Sequence, residues 1–599
     1  MNRKTLVLPA VVGLLAPVLA ACGGSDGADQ GGDAIVVGTT DRFAASQEAP
    51  APLDPASAYD AGAWNVLRQT IQTLVTLPRG GGEPVPEAAE TCSFTDAGNE
   101  RYSCKLREGL TFSNGDELTA EDVKFSIDRT MRIKDSNGPV GLLANIDTVE
   151  TRGEREVVFH LHSPDATFPY KLATPAAGIV NEADYPGDKV RKGFDVSGSG
   201  PYSVQTEVED NQVVKLNFSA NSDYKGSLKL KNEKVVMRSF ADPDTMGKAL
   251  ESGEVDLMTR TISPQQIKKY TGDQVEKIRL VEMPGLEIRY LGFNTDDPKA
   301  DKAIRQAMGY LIDRGTLTSK VYGTAAEPLY SLVPTTITGH TNSFFNQYGE
   351  QPDPAKAKAA LQQAGIDTPV ELTLNYTTDH YGQGTEAEFK EISRQLDASG
   401  LFKTDVKGTG WDKYRAAQVK GEYPVFGMGW FPDFPDADNF LAPFLDKDNF
   451  LSSPYSNKNI QNKLIPASRR EADRSAAADP IKQMQDIVAQ DVPVLPLWQG
   501  KQYVAARDDI IGVEGPLHSP TTILIGPVSR GFRRSLPAPA RRRPPHPSQG
   551  RAAAVVVRGA EAATARPRPA APDRSRTRRP PPGRGRAGRA CSARAPRGS

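Results

Sequence analysis

The amino-acid sequence predicts a mixed α/β fold. Three observations carry that prediction. Short runs that are wholly apolar or alternate with polar residues interleave with runs of helical period along most of the chain. Apolar residues make up 38% and charged residues 25% of the 599 positions, enough to bury real cores. Beyond the N-terminus no apolar run reaches the roughly 18 residues of a membrane span, which excludes a polytopic membrane protein. At this length several domains or one multi-lobed body are expected, and there is no internal repeat.

The elements follow in order. Arg3 and Lys4 precede an apolar stretch, Leu6 to Ala21, that is interrupted by Pro9, Gly13 and Pro17 and is short for a span. This is the pattern of a secretory signal peptide, residues 1–21. It ends in Leu19-Ala20-Ala21-Cys22-Gly23, which resembles the bacterial lipobox, so Cys22 is expected to be lipidated and to become the first mature residue. Residues 22–33 then read as the lipidated Cys and a flexible polar tether. The mature protein is expected outside the cytoplasm, lipid-anchored to the outer face of the cell membrane.

Ile35 to Thr39 reads as a buried strand. Cys92 and Cys104 flank the turn cluster Asp96-Ala97-Gly98-Asn99, and in an oxidising compartment they read as a disulfide across a hairpin rather than two buried thiols. Thr119 with Asp122 has the form of a capping box ahead of the stripe Val123, Ile127 and Met131. Val157, Phe159 and Leu161 alternate as a strand; His160 and His162 share its other face, but with no third ligand nearby they read as an exposed pair, not a metal site. A helix is expected near 302–313. Another is bracketed by Asp353, Pro354 and Gly365, and a strand through Val370, Leu372, Leu374 and Tyr376 follows it. No Cys-x-x-Cys or His-Glu-x-x-His spacing occurs, and Cys591 has no partner.

The formal net charge of −1 hides a split. Residues 530–599 carry 19 Arg, no Lys and only Glu561 and Asp573, leaving 54 basic and 72 acidic residues in the rest of the chain. An acidic body argues against nucleic acid as partner. The Arg/Pro/Ala-rich stretch 529–599 reads as a disordered tail from out-of-frame translation of GC-rich DNA. A basic arm for anionic lipid or cell-wall polymer is the competing reading.

Several blocks occur together in order. They are Leu53-Asp54-Pro55-Ala56; Arg107-x-Gly109-x-x-Phe112-x-x-Gly115 leading into Leu118-Thr119-Ala120-Glu121-Asp122-Val123; Gly198-Ser199-Gly200-Pro201-Tyr202; and Leu291-Gly292-Phe293-Asn294-Thr295. Gly429-Trp430-Phe431-Pro432-Asp433-Phe434-Pro435-Asp436 and Pro493-Val494-Leu495-Pro496-Leu497-Trp498 complete the set. From about 35 to 520 the chain resembles the extracytoplasmic solute-binding proteins of family 5, the dipeptide- and oligopeptide-binding lipoproteins of bacterial peptide ABC importers. The resemblance implies a two-lobed, hinged periplasmic-binding-protein-like fold with a discontinuous first lobe. That lobe would comprise 34–52, 185–280 and 487–528, with an extra subdomain at 53–184 and the second lobe at 281–486.

It also implies a function. Such a protein captures extracellular peptides between its lobes and delivers them to the permease and ATPase subunits of the importer, with no catalytic residues, cofactor or metal. Enclosing a peptide strips water from its charged amine, which then needs a fixed carboxylate. Asp433, a few residues after Gly-Trp, stands where relatives place that acid. Trp430 and Trp411 resemble tryptophans that line the pocket, and Asn294 would pair with peptide backbone near the lobe crossover. Pro432 before Asp433 and Ala437 after Asp436 depart from the family pattern at this loop. The same scaffold with another solute (a sugar, nickel, an opine) is the alternative. A secreted hydrolase is a remote one: Gly198-Ser199-Gly200 has the wrong spacing for a nucleophile elbow, and Asp433/Asp436 is a commonplace acid pair.

Overall fold

The computed structural model describes residues 34–46, 50–79, 81–259, 261–271, 275–447, 449, 451–514 and 523–531. The signal peptide with Cys22, and the chain from 532 onward with Cys591, lie outside them.

Two long antiparallel strands, Ile278–Phe293 and Val494–Arg507, form the spine of a twelve-stranded sheet. Their ladder runs from Ile278↔Arg507 to Pro284↔Lys501, breaks, and resumes from Ile288↔Gln499 to Gly292↔Val494. On one side of the break the spine pairs with Leu257–Thr259. Beyond that strand lie Ile35–Thr39, Lys234–Ser239 and Gln212–Ala220. On the other side it pairs with Val425–Trp430, followed by Val370–Thr377 and Phe402–Thr409. At the break Gly285 lies against the backbone of Gly500, where a Cβ would collide with the Gly500 carbonyl. No other residue type fits that close approach.

Three large apolar cores follow from this layout. The first gathers Ile35, Val37, Val235, Met237 and Leu257, together with Val66 and Leu67 of the helix Ala61–Thr70. The second runs from Ile288 to Trp498. The third, from Leu74 to Ile179, lies under the four-stranded sheet Ala89–Phe94, Arg101–Leu106, Glu156–Leu161, Ile146–Arg152. Val488, Val494 and Leu497 pack in the second core, so the changeover between cores falls near 499, not at the expected 487. Position 487 falls inside the helix Ala478–Asp491, and the strand Val494–Arg507 that follows it runs through both halves. Likewise Trp64 and Leu67 pack with the first core, because their helix lies against the large sheet, and the third core begins at Leu74 rather than 53.

Local signals in the sequence appear as structure. Thr119 and Asp122 form the capping box of the helix Ala120–Ile133. Asp353 caps Pro354–Gln363 by accepting from the Lys356 N–H, and Gly365 follows with φ of 68°. Cys92 and Cys104 face each other in register and are disulfide-bonded. His160 meets Glu150 at 3.0 Å and His162 meets Asp147 at 3.6 Å. Asp54, from the Leu-Asp-Pro-Ala block, is a buried hub. Its two oxygens take a fork from Arg129 at 2.8 and 2.6 Å and accept the backbone N–H groups of Ala56 and Arg191.

The tail expected to begin at 529 starts later. Ile523, Ile525 and Val528 are buried in the first core, and Ser529–Arg530 pairs with Ile510–Ile511. Gln69 donates to the Ile523 carbonyl at 2.9 Å, Asn232 to those of Ile525 and Val528 at 2.8 Å each, and Arg530 meets Asp256 at 2.7 Å. The described residues 523–531 are therefore part of the first core's packing.

Gly285→Ala is expected to lower the unfolding free energy by about 1–3 kcal/mol, the usual range for forced overpacking, as read by urea denaturation. Wild-type stability of the variant would show that the two strands can separate at this point without cost.

Candidate functional site

The strand Val425–Trp430 carries alternating glycines. Gly429 lies directly opposite Arg289, and a Cβ there would collide with the Arg289 guanidinium. The missing side chain lets Arg289 lie flat on the sheet, among three rings. Its guanidinium carbon is 4.3 Å from the Tyr381 ring centre, 5.2 Å from Trp498 and 5.3 Å from Phe431. Glu287 completes its ion pair. Phe431 is 39% exposed.

Trp411 opens the helix Trp411–Val419, its N–H donating to Asp379 at 2.8 Å. Its ring stacks flat on His380, 3.7 Å between centres and 6° between planes, and meets Tyr381 edge-on. Loss of solvent and, second, the Arg289 charge push the His380 imidazole down to about 4, so it is neutral at pH 7. The Tyr381 hydroxyl reaches the Gly429 carbonyl at 3.4 Å, which ties this loop to the end of the strand.

Past Trp430 the chain turns through Pro432 into Asp433. The Asp433 carboxylate is buried. It accepts from the Asn439 amide at 3.1 Å, while the Asp433 N–H donates to the Asn439 side-chain oxygen at 2.8 Å. The Tyr59 hydroxyl, from just ahead of the helix Ala61–Thr70, donates to it as well. No cation pairs with it among the described residues; Lys171, the nearest to act on it, is bound to Asp165 at 2.6 Å. Burial pushes the Asp433 carboxyl up against the opposing effect of its hydrogen bonds.

The same loop joins the second and third cores. Phe434 is buried in the third core, 6.1 Å from Tyr170. Asp436 is gripped by Arg474 at 2.7 and 3.0 Å, and Asp438 by Arg469. The carbonyl of Arg469 accepts from the Ala166 N–H, and that of Arg470 from the Asn99 amide, both at 2.7 Å. Asp436 is thus committed to Arg474, which removes the acid pair on which a glycosidase reading would rest.

Of the residues expected to bind ligand, Trp430 and Asp433 share one loop, and Trp411 joins them through Tyr381. Trp430 itself packs in the second core, edge-on to Phe444 at 5.7 Å, with 9% of its surface exposed. Asn294 is not brought to this place. Phe293 pairs with Val425, whereas Trp430 pairs with Ile288 at the other end of the same ladder, about 17 Å away at strand rise. The Asn294 amide donates to the Gly421 carbonyl, and its oxygen accepts from the Asp296 N–H. It therefore corrects to a turn residue. Arg289, His380, Tyr381 and Tyr59 were missed. Phe431 lies inside the Gly429–Asp436 block, and His380 comes three residues after the strand Val370–Thr377; nothing local marks Arg289 or Tyr59.

The raised carboxyl of Asp433 gives a signed prediction. A folded-state value above the unfolded one means that ionisation at pH 7 opposes folding, and the opposition fades as pH falls through the raised value. Asp433→Asn is expected to raise the ligand-free unfolding midpoint at pH 7, with the gain shrinking toward pH 4. A lower midpoint at pH 7 would make the carboxylate a net stabiliser of its loop.

The comparisons with known proteins agree with this architecture. Residues 83–452 match the model of the bacterial extracellular solute-binding proteins, family 5. A curated relative, di/tripeptide-binding protein 3 of Pseudomonas aeruginosa, is 26% identical over 490 residues, 76% of this chain and 89% of the relative. The glutathione-binding protein GsiB of Escherichia coli K12 is 28% identical over 475 residues, 77% of this chain and 89% of its own. Among solved structures, the periplasmic binding protein DppA of Helicobacter pylori in complex with peptide STSA superposes with a TM-score of 0.67. It is 22% identical and covers 83% of this chain and 98% of that one. The chain belongs to the bacterial extracellular solute-binding proteins of family 5.

Proposed function

We propose that this protein captures peptides outside the cytoplasm, encloses them between two lobes that meet at the Asp433 loop, and hands them to the permease and ATPase of an ABC importer. The observation that carries the proposal is the buried Asp433 carboxylate with neutral hydrogen-bond donors and no cation among the described residues. A buried, unpaired charge costs several kcal/mol, and a peptide α-ammonium would supply the missing partner. The relatives named as di/tripeptide- and glutathione-binding carry ligands with such an amine. In this reading Asp433 fixes the amino end, while Trp411, the exposed edge of Trp430, Tyr381 and Phe431 contact side chains through ring faces. Those faces discriminate weakly. Asn294 has no part in it. The protein acts without catalysis or cofactor, and a diacylated Cys22 holds it at the outer face of the cell membrane.

A double cycle tests the amine contact. Asp433→Asn is expected to weaken a free peptide by about 2–5 kcal/mol, the range for truncating one partner of a buried charge pair. The N-acetylated peptide is expected to bind poorly to the wild type, and the variant to lose most of that discrimination. Calorimetry with both peptides on both proteins reads the coupling; simple additivity of the two penalties would return Asp433 to a loop-forming role. A sugar or metal salt that binds where peptides do not would favour the alternative solutes.

The anchor is tested separately. Cys22→Ala is expected to leave an unprocessed precursor and to abolish acyl labelling. Unchanged processing and labelling of the variant would place the lipid elsewhere.

A further inference from the structure

Tyr59 is held in place by its neighbours in sequence. The Asp54 carbonyl accepts the N–H groups of Ser57 and Ala58 at 3.0 and 2.7 Å, closing a turn on the buried Asp54–Arg129 pair. The Ala58 carbonyl accepts the Trp64 indole N–H at 2.9 Å. Asp60 caps the helix Ala61–Thr70 by accepting the Ala63 N–H, also at 2.9 Å. Tyr59 lies between these two anchored residues, its ring centre 5.6 Å from that of Trp64. A side chain fixed in this way has little freedom left to lose when a ligand arrives.

The Tyr59 segment packs in the first core through Ala58 and Trp64. The Asp433 loop packs in the second core through Trp430 and Ala437, and in the third through Phe434. The hydrogen bond from the Tyr59 hydroxyl to the Asp433 carboxylate therefore joins elements of different cores. Tyr59 is 42% exposed, so a ligand at Asp433 has access to it.

A phenol oxygen donates one proton and accepts through two lone pairs. The Tyr59 proton is committed to Asp433, and among the described residues no donor reaches its lone pairs. An α-ammonium has three N–H groups, and each one stripped of water needs an acceptor. Asp433 takes one of them. The phenol oxygen, bonded to that same carboxylate, is the acceptor beside it.

We propose that Tyr59 is a specificity residue of the peptide site: its oxygen accepts a second N–H of the ligand's α-ammonium, so the site selects a terminal nitrogen that carries at least two N–H groups. The inference rests on the proposed contact between Asp433 and the amine, and it names the class of amine that the contact takes. Peptides with a primary amino terminus qualify. A dialkylated terminus keeps its charge and a single N–H, which serves Asp433 and leaves Tyr59 without a donor.

Trialanine is the probe, in free, N-methylated, N,N-dimethylated and N-acetylated forms, titrated by calorimetry at pH 7 into the full-length chain and its Tyr59→Phe and Asp433→Asn variants. Dimethylation is expected to weaken binding to the wild type by about tenfold or more, the worth of a hydrogen bond to a charged group. Tyr59→Phe is expected to weaken the free peptide by a similar factor and to leave the dimethylated one nearly unchanged, so that the two effects do not add. An undiminished dimethylation penalty in Tyr59→Phe would overturn the inference, because the phenol would then serve only the contact between cores. Should Tyr59→Phe fail to fold, the wild type alone decides. The monomethyl peptide keeps two N–H groups and is expected to bind close to the free one, and a loss as large as that of dimethylation would overturn the selection. The acetylated peptide separates this inference from the amine reading beneath it. If acetylation weakens the wild type and Asp433→Asn loses that discrimination, while Tyr59→Phe keeps the full dimethylation penalty, the Asp433 contact stands and the part of Tyr59 falls. If trialanine does not bind, or acetylation has no effect on the wild type, the amine contact fails and the role of Tyr59 fails with it.

Discussion

Everything in this fold hangs on one ladder whose pairing lapses in its middle. The strands Ile278–Phe293 and Val494–Arg507 belong to both halves of the large sheet, and between Pro284 and Ile288 their pairing lapses. A continuous ladder would weld the halves into one rigid sheet, since each backbone pair resists rotation and buried N–H and C=O groups must stay matched. The lapse gives a short stretch where backbone angles can change at little cost in pairing. Gly285 against Gly500 then keeps the strands close enough to remain one chain path. Proline at 284 fits the same logic, because it removes a donor that the interrupted ladder could not satisfy. Hinge closure by a few such residues is a recognised mode of lobe movement.

The Asp433 loop bears the opposite demand. Here the second and third cores are held against each other by a buried ring, Phe434, and by contacts centred on Arg469, Arg470 and Arg474. Asp436 and Asp438 are each matched by an arginine fork, so burying them is compensated. Asp433, three residues away from Asp436, is matched by neutral donors, the Asn439 amide and the Tyr59 phenol among them, and by no cation among the described residues. The contrast within one loop is informative. A sequence that can place arginines beside two of its three acids has left the third without one, and it is this third acid that burial raises. Stability alone would favour a neutral residue at 433; a ligand that brings its own cation reverses that preference.

Signals written within a few residues were legible. The capping box at Thr119, the Asp353–Pro354 start, the Cys92–Cys104 hairpin and the alternation around Val370 each depend on neighbours in sequence, and each appeared as read. What the sequence hid was long-range. Arg289 sits in an ordinary strand, and its role depends on Gly429 lying opposite, 140 positions further on, and on the Tyr381 and Trp498 rings from two other segments. Tyr59 reaches Asp433 from the far end of the chain. Asn294 misled for the same reason: a strand-end asparagine can serve a ligand or a turn, and only the register of the ladder shows which end of the strand it occupies. The lobe boundaries slipped because Val494–Arg507 passes through both halves with no local break in pattern.

The C-terminal segment shows how a fold can seat residues whose composition predicts none. Gln69 and Asn232 donate to the carbonyls of Ile523, Ile525 and Val528. Side-chain amides that bind carbonyls recognise the path of a backbone and are indifferent to its side chains, as in any added strand. Three apolar residues at suitable positions then supply the buried area, and Ser529–Arg530 completes a short ladder with Ile510–Ile511. A reading based on composition alone counts the Arg, Pro, Ala and Gly of the following stretch and places the boundary too early. Beyond those carbonyls the segment turns donor: the Arg530 guanidinium donates to Asp256 at 2.7 Å and the Gly531 N–H to the Asp509 carbonyl at 2.8 Å.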